Sequence, residues 1–146
     1  MMNYKALIIE DNPQHYKLFA EGVAMSKYKF DIEKVELPAL IAALNKGEGI
    51  ELIPDGIDLF IIDVSLDKGQ DELGLKLFNQ INLDHRRTGR AIPIVVSNWE
   101  RSEFHTDVTF DKKNFINKNH YQGIELAIKT RNTINILWKT TTTATE

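Results

Sequence analysis

Asp58-Leu59-Phe60-Ile61-Ile62-Asp63 is apolar on four consecutive positions, too short for a helix, and bounded by an acid at each end. A half-exposed strand alternates apolar and polar residues; a run without alternation fits a strand covered on both faces, as in a parallel sheet. Ala6-Leu7-Ile8-Ile9, the stretch from Ile92 to Val96 with Pro93, and the brief Phe115-Ile116 share this character. A fifth segment, Tyr28 to Val35, does alternate, with Tyr28, Phe30, Ile32 and Val35 separated by Lys29, Asp31 and Glu33-Lys34. It predicts a strand nearer an edge.

Between these runs the apolar spacing becomes helical. Tyr16, Phe19, Val23 and Ala24 follow Asn12-Pro13, where a proline suits the first turn because its missing N–H is not needed. Leu37, Leu40, Ile41 and Leu44 predict a second helix ending near Gly47, and Leu73, Leu77, Phe78 and Ile81 a third. A short helix is expected within Arg101 to Phe110. A long last helix, carried by Ile124, Ala127, Ile128, Ile134 and Leu137, is expected to open after Asn119 or His120. Thr140 to Glu146 is Thr-rich and reads as a flexible tail to a domain spanning residues 1–139. Strand–helix alternation of this kind predicts an α/β domain, its parallel sheet covered by helices on both faces and joined by right-handed crossovers.

Composition narrows the chemistry. With 18 Lys and Arg against 21 Asp and Glu, the net charge of −3 in 146 residues lacks the basic excess of a chain devoted to nucleic acid. The absence of cysteine excludes disulfides, thiolate zinc sites, iron–sulfur clusters and cysteine nucleophiles. No apolar run approaches a membrane span, and the first residues lack a cleavage-site pattern, so a cytoplasmic domain without membrane contact is expected.

In open parallel sheets the functional crevice lies beyond the carboxyl ends of the strands. Glu10 and Asp11 follow Ile9, Asp63 follows Ile62, Ser97 follows Val96, and Asn117-Lys118 follows Ile116. Any one strand end is polar because it meets solvent. Three acids brought together are different, since they repel one another without a cation. Mg²⁺ takes about six oxygens, and Lys118 would add a fixed positive charge opposite. Such a cluster suits a phosphoryl group gathered around a carboxylate nucleophile.

From Lys5 to Leu137 the chain resembles a response-regulator receiver domain of two-component signalling. The motifs are Ile8-Ile9-Glu10-Asp11-Asn12, Asp58 to Asp63, Ile94-Val95-Val96-Ser97 and Phe115-Ile116-Asn117-Lys118. Asp11, Asp63, Ser97 and Lys118 follow one another at 52, 34 and 21 residues, nearly the family's spacings. The resemblance implies a doubly wound, flavodoxin-like (βα)5 three-layer sandwich with strand order 2-1-3-4-5. It implies that Asp63 is the phosphoacceptor, that Glu10, Asp11, Asp63 and the Ser65 backbone carbonyl hold Mg²⁺, and that Lys118 pairs with the carboxylate and then the phosphoryl oxygens. Ser97 matches the hydroxyl that turns toward the phosphoryl group and Phe115 the aromatic switch. The implied partners are a sensor histidine kinase or a histidine phosphotransfer protein, and a downstream protein met through the segment after Ser97, the Phe115 strand and the last helix. A homodimer is compatible with this, and direct binding to nucleic acid is not expected. With only a tail after the last helix, the expectation is a stand-alone, self-phosphorylating and self-dephosphorylating switch, not a turnover enzyme.

The chain departs from the family in the longer loop from Val64 to Gly74, in Asn98 after Ser97, and in Asn119, where a proline is usual after the lysine. Because a cis bond before a non-proline costs about 2.5–4 kcal/mol, a trans peptide is expected at Asn119. Two rival readings are a receiver-like interaction module not controlled by phosphorylation, and a phosphatase with an aspartyl nucleophile. Keeping both Asp63 and Lys118 counts against the first. Ser65, where such phosphatases carry a second Asp, counts against the second. The Asp63-to-Asp71 stretch imitates a calcium loop but has Lys68 and Gly74 where that loop needs Gly and Glu. His15, His85, His105 and His120 show no metal-ligand spacing and read as surface residues; His85-Arg86-Arg87 with Arg90 reads as a solvated basic cluster, and Trp99 and Trp138 as packing or protein-contact residues.

Overall fold

Strand β3 (Leu59–Asp63) is buried along its whole length at the centre of a five-stranded parallel sheet. The computed structural model of the chain describes residues 3–66, 73–83, 92–97 and 111–145. Around β3 stand β1 (Tyr4–Ile9), β2 (Phe30–Glu33), β4 (Ile92–Ser97) and β5 (Phe115–Asn117). The spatial order is β2-β1-β3-β4-β5, the order of a flavodoxin-like α/β fold. As the alternation of Tyr28 to Val35 predicts, β2 is an edge strand. Four helices are described: α1 (Pro13–Met25), α2 (Leu37–Asn45), α3 (Leu73–Leu83) and α4 (Ile124–Thr145). The helix expected within Arg101 to Phe110 lies outside the described residues, as do Asn98, Trp99, His85, His105, the arginines 86, 87 and 90, and residues 67–72 of the long loop.

Successive strand residues point to opposite faces, so the apolar runs of β1 and β3 feed two cores. Leu7, Ile9, Phe60 and Ile62 pack with Leu40 and Leu44 of α2 and with Leu77, Phe78 and Ile81 of α3. Ala6, Ile8, Leu59, Ile61, Ile94, Val96 and Ile116 pack with Phe19 and Val23 of α1 and with Leu126, Ile134, Leu137 and Trp138 of α4. That division is why the runs do not alternate: both faces are dry. On the second face, α1 approaches α4 so closely that a Cβ on Gly22 would stand 2.7 Å from the Ala127 carbonyl oxygen and from Thr130 Cβ.

The register aligns the carboxyl ends of the strands. Ile9 pairs with Ile62, Asp63 with Val96, and Ser97 with Asn117. Glu10 therefore emerges beside Asp63, with Ser97 and Lys118 one strand and two strands away. At the opposite end, the Trp138 ring lies 4.9 Å from Tyr4, 5.1 Å from Phe30 and 6.0 Å from Tyr28, centroid to centroid.

The last helix differs from expectation at both ends. Lys118–His120 forms a tight 3₁₀ turn, and Gly123 adopts a left-handed φ of 56°, so α4 begins only at Ile124. At the other end the helix runs on to Thr145, through the stretch expected to be a tail. The run 140–145 holds neither Gly nor Pro, and each Thr costs well under 1 kcal/mol of helix propensity relative to Ala. No helix among the described residues is long and apolar enough to cross a membrane.

Candidate functional site

The crevice beyond the strands is built from three turns. After β1 the chain places Glu10 inward and Asp11 outward, then enters α1 through an N-cap. The Asn12 side-chain oxygen accepts from the backbone N–H groups of Gln14 at 2.9 Å and His15 at 3.1 Å, and Pro13 occupies the first helical position. The cap fixes the first turn of α1 against the acids, and the Asn12 N–H points back to Glu10 Oε2 at 3.4 Å. After β3, the Val64 N–H donates to the Val96 carbonyl at 3.0 Å, and the Gly74 N–H to the Val64 carbonyl at 2.8 Å. A Cβ on Gly74 would fall on the Asp63 carbonyl oxygen, so the start of α3 presses against the strand end and only glycine fits. The Ser65 N–H donates to Asp63 Oδ1 at 3.3 Å.

The third turn aims the lysine. Asn117 is buried, and its side-chain oxygen accepts from the Asn119 N–H at 2.9 Å, closing the 3₁₀ turn that carries Lys118. A proline at 119 would have no N–H to give. No peptide bond among the described residues is cis, so the bond before Asn119 is trans as expected, and the Asn117 cap orients the turn. Lys118 Nζ reaches Glu10 Oε1 at 2.9 Å and Asp63 Oδ2 at 3.3 Å. Glu10, Asp63 and Lys118 are 5%, 3% and 6% exposed, so these charges interact in a poorly screened setting.

Glu10, Asp11 and Asp63 bring one carboxylate oxygen each within 4.8 Å of the others, and the cluster could hold a metal ion. One ammonium is too few for three carboxylates, and the protonation pattern shows it. Burial would raise the Glu10 carboxyl, but its hydrogen bond with Asp63 and the Lys118 ammonium outweigh this and hold it below the ordinary range. Burial, then the hydrogen bond and charge of Glu10, push Asp63 up to about 8. Asp11 is raised too, by burial and by Glu10. At neutral pH the cation-free cluster thus keeps a proton on Asp63. A cleft of about 370 Å³ opens beside Glu10 and Asp11, between Pro13 and Tyr16 of α1 and Val35 and Leu37 beyond β2.

The structure thus brings together Glu10, Asp11, Asp63 and Lys118. Ser97 is buried at the end of β4, next along from the residue that pairs with Asp63, and Phe115 is half-buried against the α2–α3 core. One residue of the site was not foreseen. His15 reads in the sequence as a surface histidine; its side chain is 30% exposed, with the shielded Nδ1 turned inward to 3.6 Å from Glu10 Oε1. The ring returns to the acids because the Asn12 cap makes His15 the third residue of the helix, a position that faces back toward the preceding chain.

No family model matches the chain, and no curated protein or solved structure matches it either.

Proposed function

We propose that the chain is a phosphorylatable switch of the receiver kind, accepting a phosphoryl group on Asp63 from a histidine on a partner kinase or phosphotransfer protein and signalling by binding another protein. The observation that carries the reading is Lys118 Nζ lying between Glu10 and Asp63, at 2.9 and 3.3 Å, in a cluster that also brings Asp11 within reach of a shared cation. A carboxylate with a movable ammonium beside it has both a nucleophile and a partner for developing phosphoryl charge. Glu10, Asp11, Asp63 and the Ser65 carbonyl would hold Mg²⁺, which would supply charge neutralisation for phosphoryl oxygens.

In this reading a deprotonated Asp63 oxygen attacks phosphorus, the P–N bond to the donor imidazole breaks, and the leaving nitrogen retains the bonding pair. Lys118 follows the charge from carboxylate to phosphoryl oxygen, and the Ser97 hydroxyl donates to another. Drawing Ser97 inward frees space that Phe115 fills, altering the face formed by β5 and α4. Water later cleaves the acyl phosphate and restores the carboxylate. Ser65 supports a switch over a phosphatase, because its hydroxyl offers no carboxylate acid/base for turnover.

Intact-mass measurement after incubation with acetyl phosphate or phosphoramidate tests the proposal. One phosphoryl mass is expected, requiring Mg²⁺ and absent in Asp63→Asn. Equal labelling of that variant would sink the assignment.

A further inference from the structure

The cleft beside Glu10 and Asp11 has an apolar wall drawn from three elements. Ile8 comes from the end of β1, Tyr16 from the first turn of α1, and Val35 and Leu37 from the passage between β2 and α2. Tyr16, Val35 and Leu37 are only half-buried, so part of this wall faces solvent. At about 370 Å³ the cleft falls within the range of small-molecule sites, roughly 300–1,000 Å³, which join an apolar lining to a few orienting polar groups. Its charged groups divide by sign and by place. Glu10 and Asp11 follow β1, whereas Lys34 follows β2 and directly precedes Val35. Lys118 pairs with Glu10 and Asp63, but Asp11 makes no ion pair among the described residues.

That layout selects by charge and shape. An anion would face two carboxylates. A polyamine would bring a second positive charge toward Lys34 and leave the apolar wall wet. A single positive charge on an apolar body satisfies both ends, with the Tyr16 ring offering its face to the cation as well. We propose that the cleft binds a small free amine, one ammonium carried on an aromatic or branched aliphatic body, and that this ligand opposes cation binding at the strand ends. The antagonism rests on the cation reading given above: Glu10 and Asp11 belong both to the cleft and to the acidic cluster, so the ammonium and a divalent ion draw on the same negative charge. Linkage makes the effect mutual.

Amide shifts of the full chain titrated with phenethylamine, without Mg²⁺, test it. Saturable shifts are expected at Tyr16, Val35 and Leu37. Phenylacetate, with a similar body and the opposite charge, should bind at least about ten-fold more weakly, because like charges brought together oppose binding. Methylamine should also be at least about ten-fold weaker, having little apolar area to bury. Lys34→Glu, at an exposed position, should bring p-xylylenediamine from about ten-fold weaker than phenethylamine to about equal affinity. Saturating Mg²⁺ should weaken phenethylamine several-fold in the wild type. No saturable shift at these three residues, or equal affinity for phenethylamine and phenylacetate, overturns the amine site. Phenethylamine binding indifferent to Mg²⁺ that itself binds overturns the antagonism. If phenethylamine binds as expected to a chain that takes up neither Mg²⁺ nor phosphate, the amine site stands and the antagonism falls with the phosphorylation reading.

Discussion

The two ends of the sheet are built on opposite principles. Where the strands begin, Tyr4, Tyr28, Phe30 and Trp138 pack ring on ring, some pairs edge to face and others tilted, with ring separations of 4.9 to 6.4 Å. Where they end, Glu10 and Lys118 are buried as charges beside an equally buried Asp63, whose carboxyl is pushed up to about 8 by burial and by Glu10. Aromatic contacts gain from burial and from ring geometry together. Carboxylates lose solvation and recover it only through partners. One end stabilises the fold, and the other stores an imbalance that a ligand can relieve.

Breaking the aromatic end should have the largest effect. Trp138→Ala removes the ring that three others contact and should cost about 3–5 kcal/mol, read from urea midpoints. Below its new midpoint the variant should label with acetyl phosphate as the wild type does, since the ring packs on Tyr4 and Phe30 where β1 and β2 begin and the site stands where the strands end. Labelling lost in fully folded protein would show that the two ends are not separable in this way.

The charged end gives an effect of opposite sign. A carboxyl raised from 3.8 to about 8 means that, between those values, the native state holds a proton the unfolded chain has released. Stability without a cation should therefore fall as pH rises through that window, by up to about 1.4 kcal/mol per pH unit from this group, and level off above it. Asp63→Asn should remove most of the slope and stabilise the cation-free protein at pH 7.5. Mg²⁺ should flatten the wild-type slope, because ion binding displaces the proton. A wild-type slope unchanged by Asp63→Asn would place the retained proton elsewhere.

The smallest effect concerns the turn that aims Lys118. Asn117→Ala deletes the cap on the Asn119 N–H and should cost about 1 kcal/mol. Its larger consequence is on rate, because the lysine loses its fixed approach to Asp63. Phosphorylation by acetyl phosphate should slow several-fold at saturating Mg²⁺. A slower rate from Asn117→Ala with unaltered Mg²⁺ affinity would sharpen the contrast between holding the fold and aiming a group.

How much of this was readable in the sequence depended on how local the signal was. β1 and β3 are legible as unbroken apolar runs because both their faces are covered, and β2 as an edge because it alternates. Glu10, Asp11, Asp63 and Lys118 are legible as strand-end residues, since a parallel sheet sends all such ends to one side. The start of α4 was not, because Asn117 supplies a cap and Gly123 a left-handed residue where the apolar spacing alone allows helix. The approach of His15 to Glu10 was not legible, because a capped turn folds the third helical residue back toward the acid five positions before it. The position of Lys118 beside Glu10 and Asp63, reached without a proline at 119, goes with a hydrogen bond that no pattern of residue types announces.

The close seat of Gly22 against Ala127 and Thr130 has a consequence for recombination. The Lys27 N–H also donates to Asn135 Oδ1 at 2.9 Å, so the far end of α1 is fastened to α4 as well. α1 carries the acidic turn and His15 at its entrance, and α4 follows the turn of Lys118. In the sequence 98 residues lie between the end of α1 and the start of α4, yet their packing ties the two helices into one block. A chimera that borrows the last helix of another chain while keeping this first one would wedge them apart and carry the lysine away from its acids. Grafts that exchange both helices together are the ones expected to keep a working site.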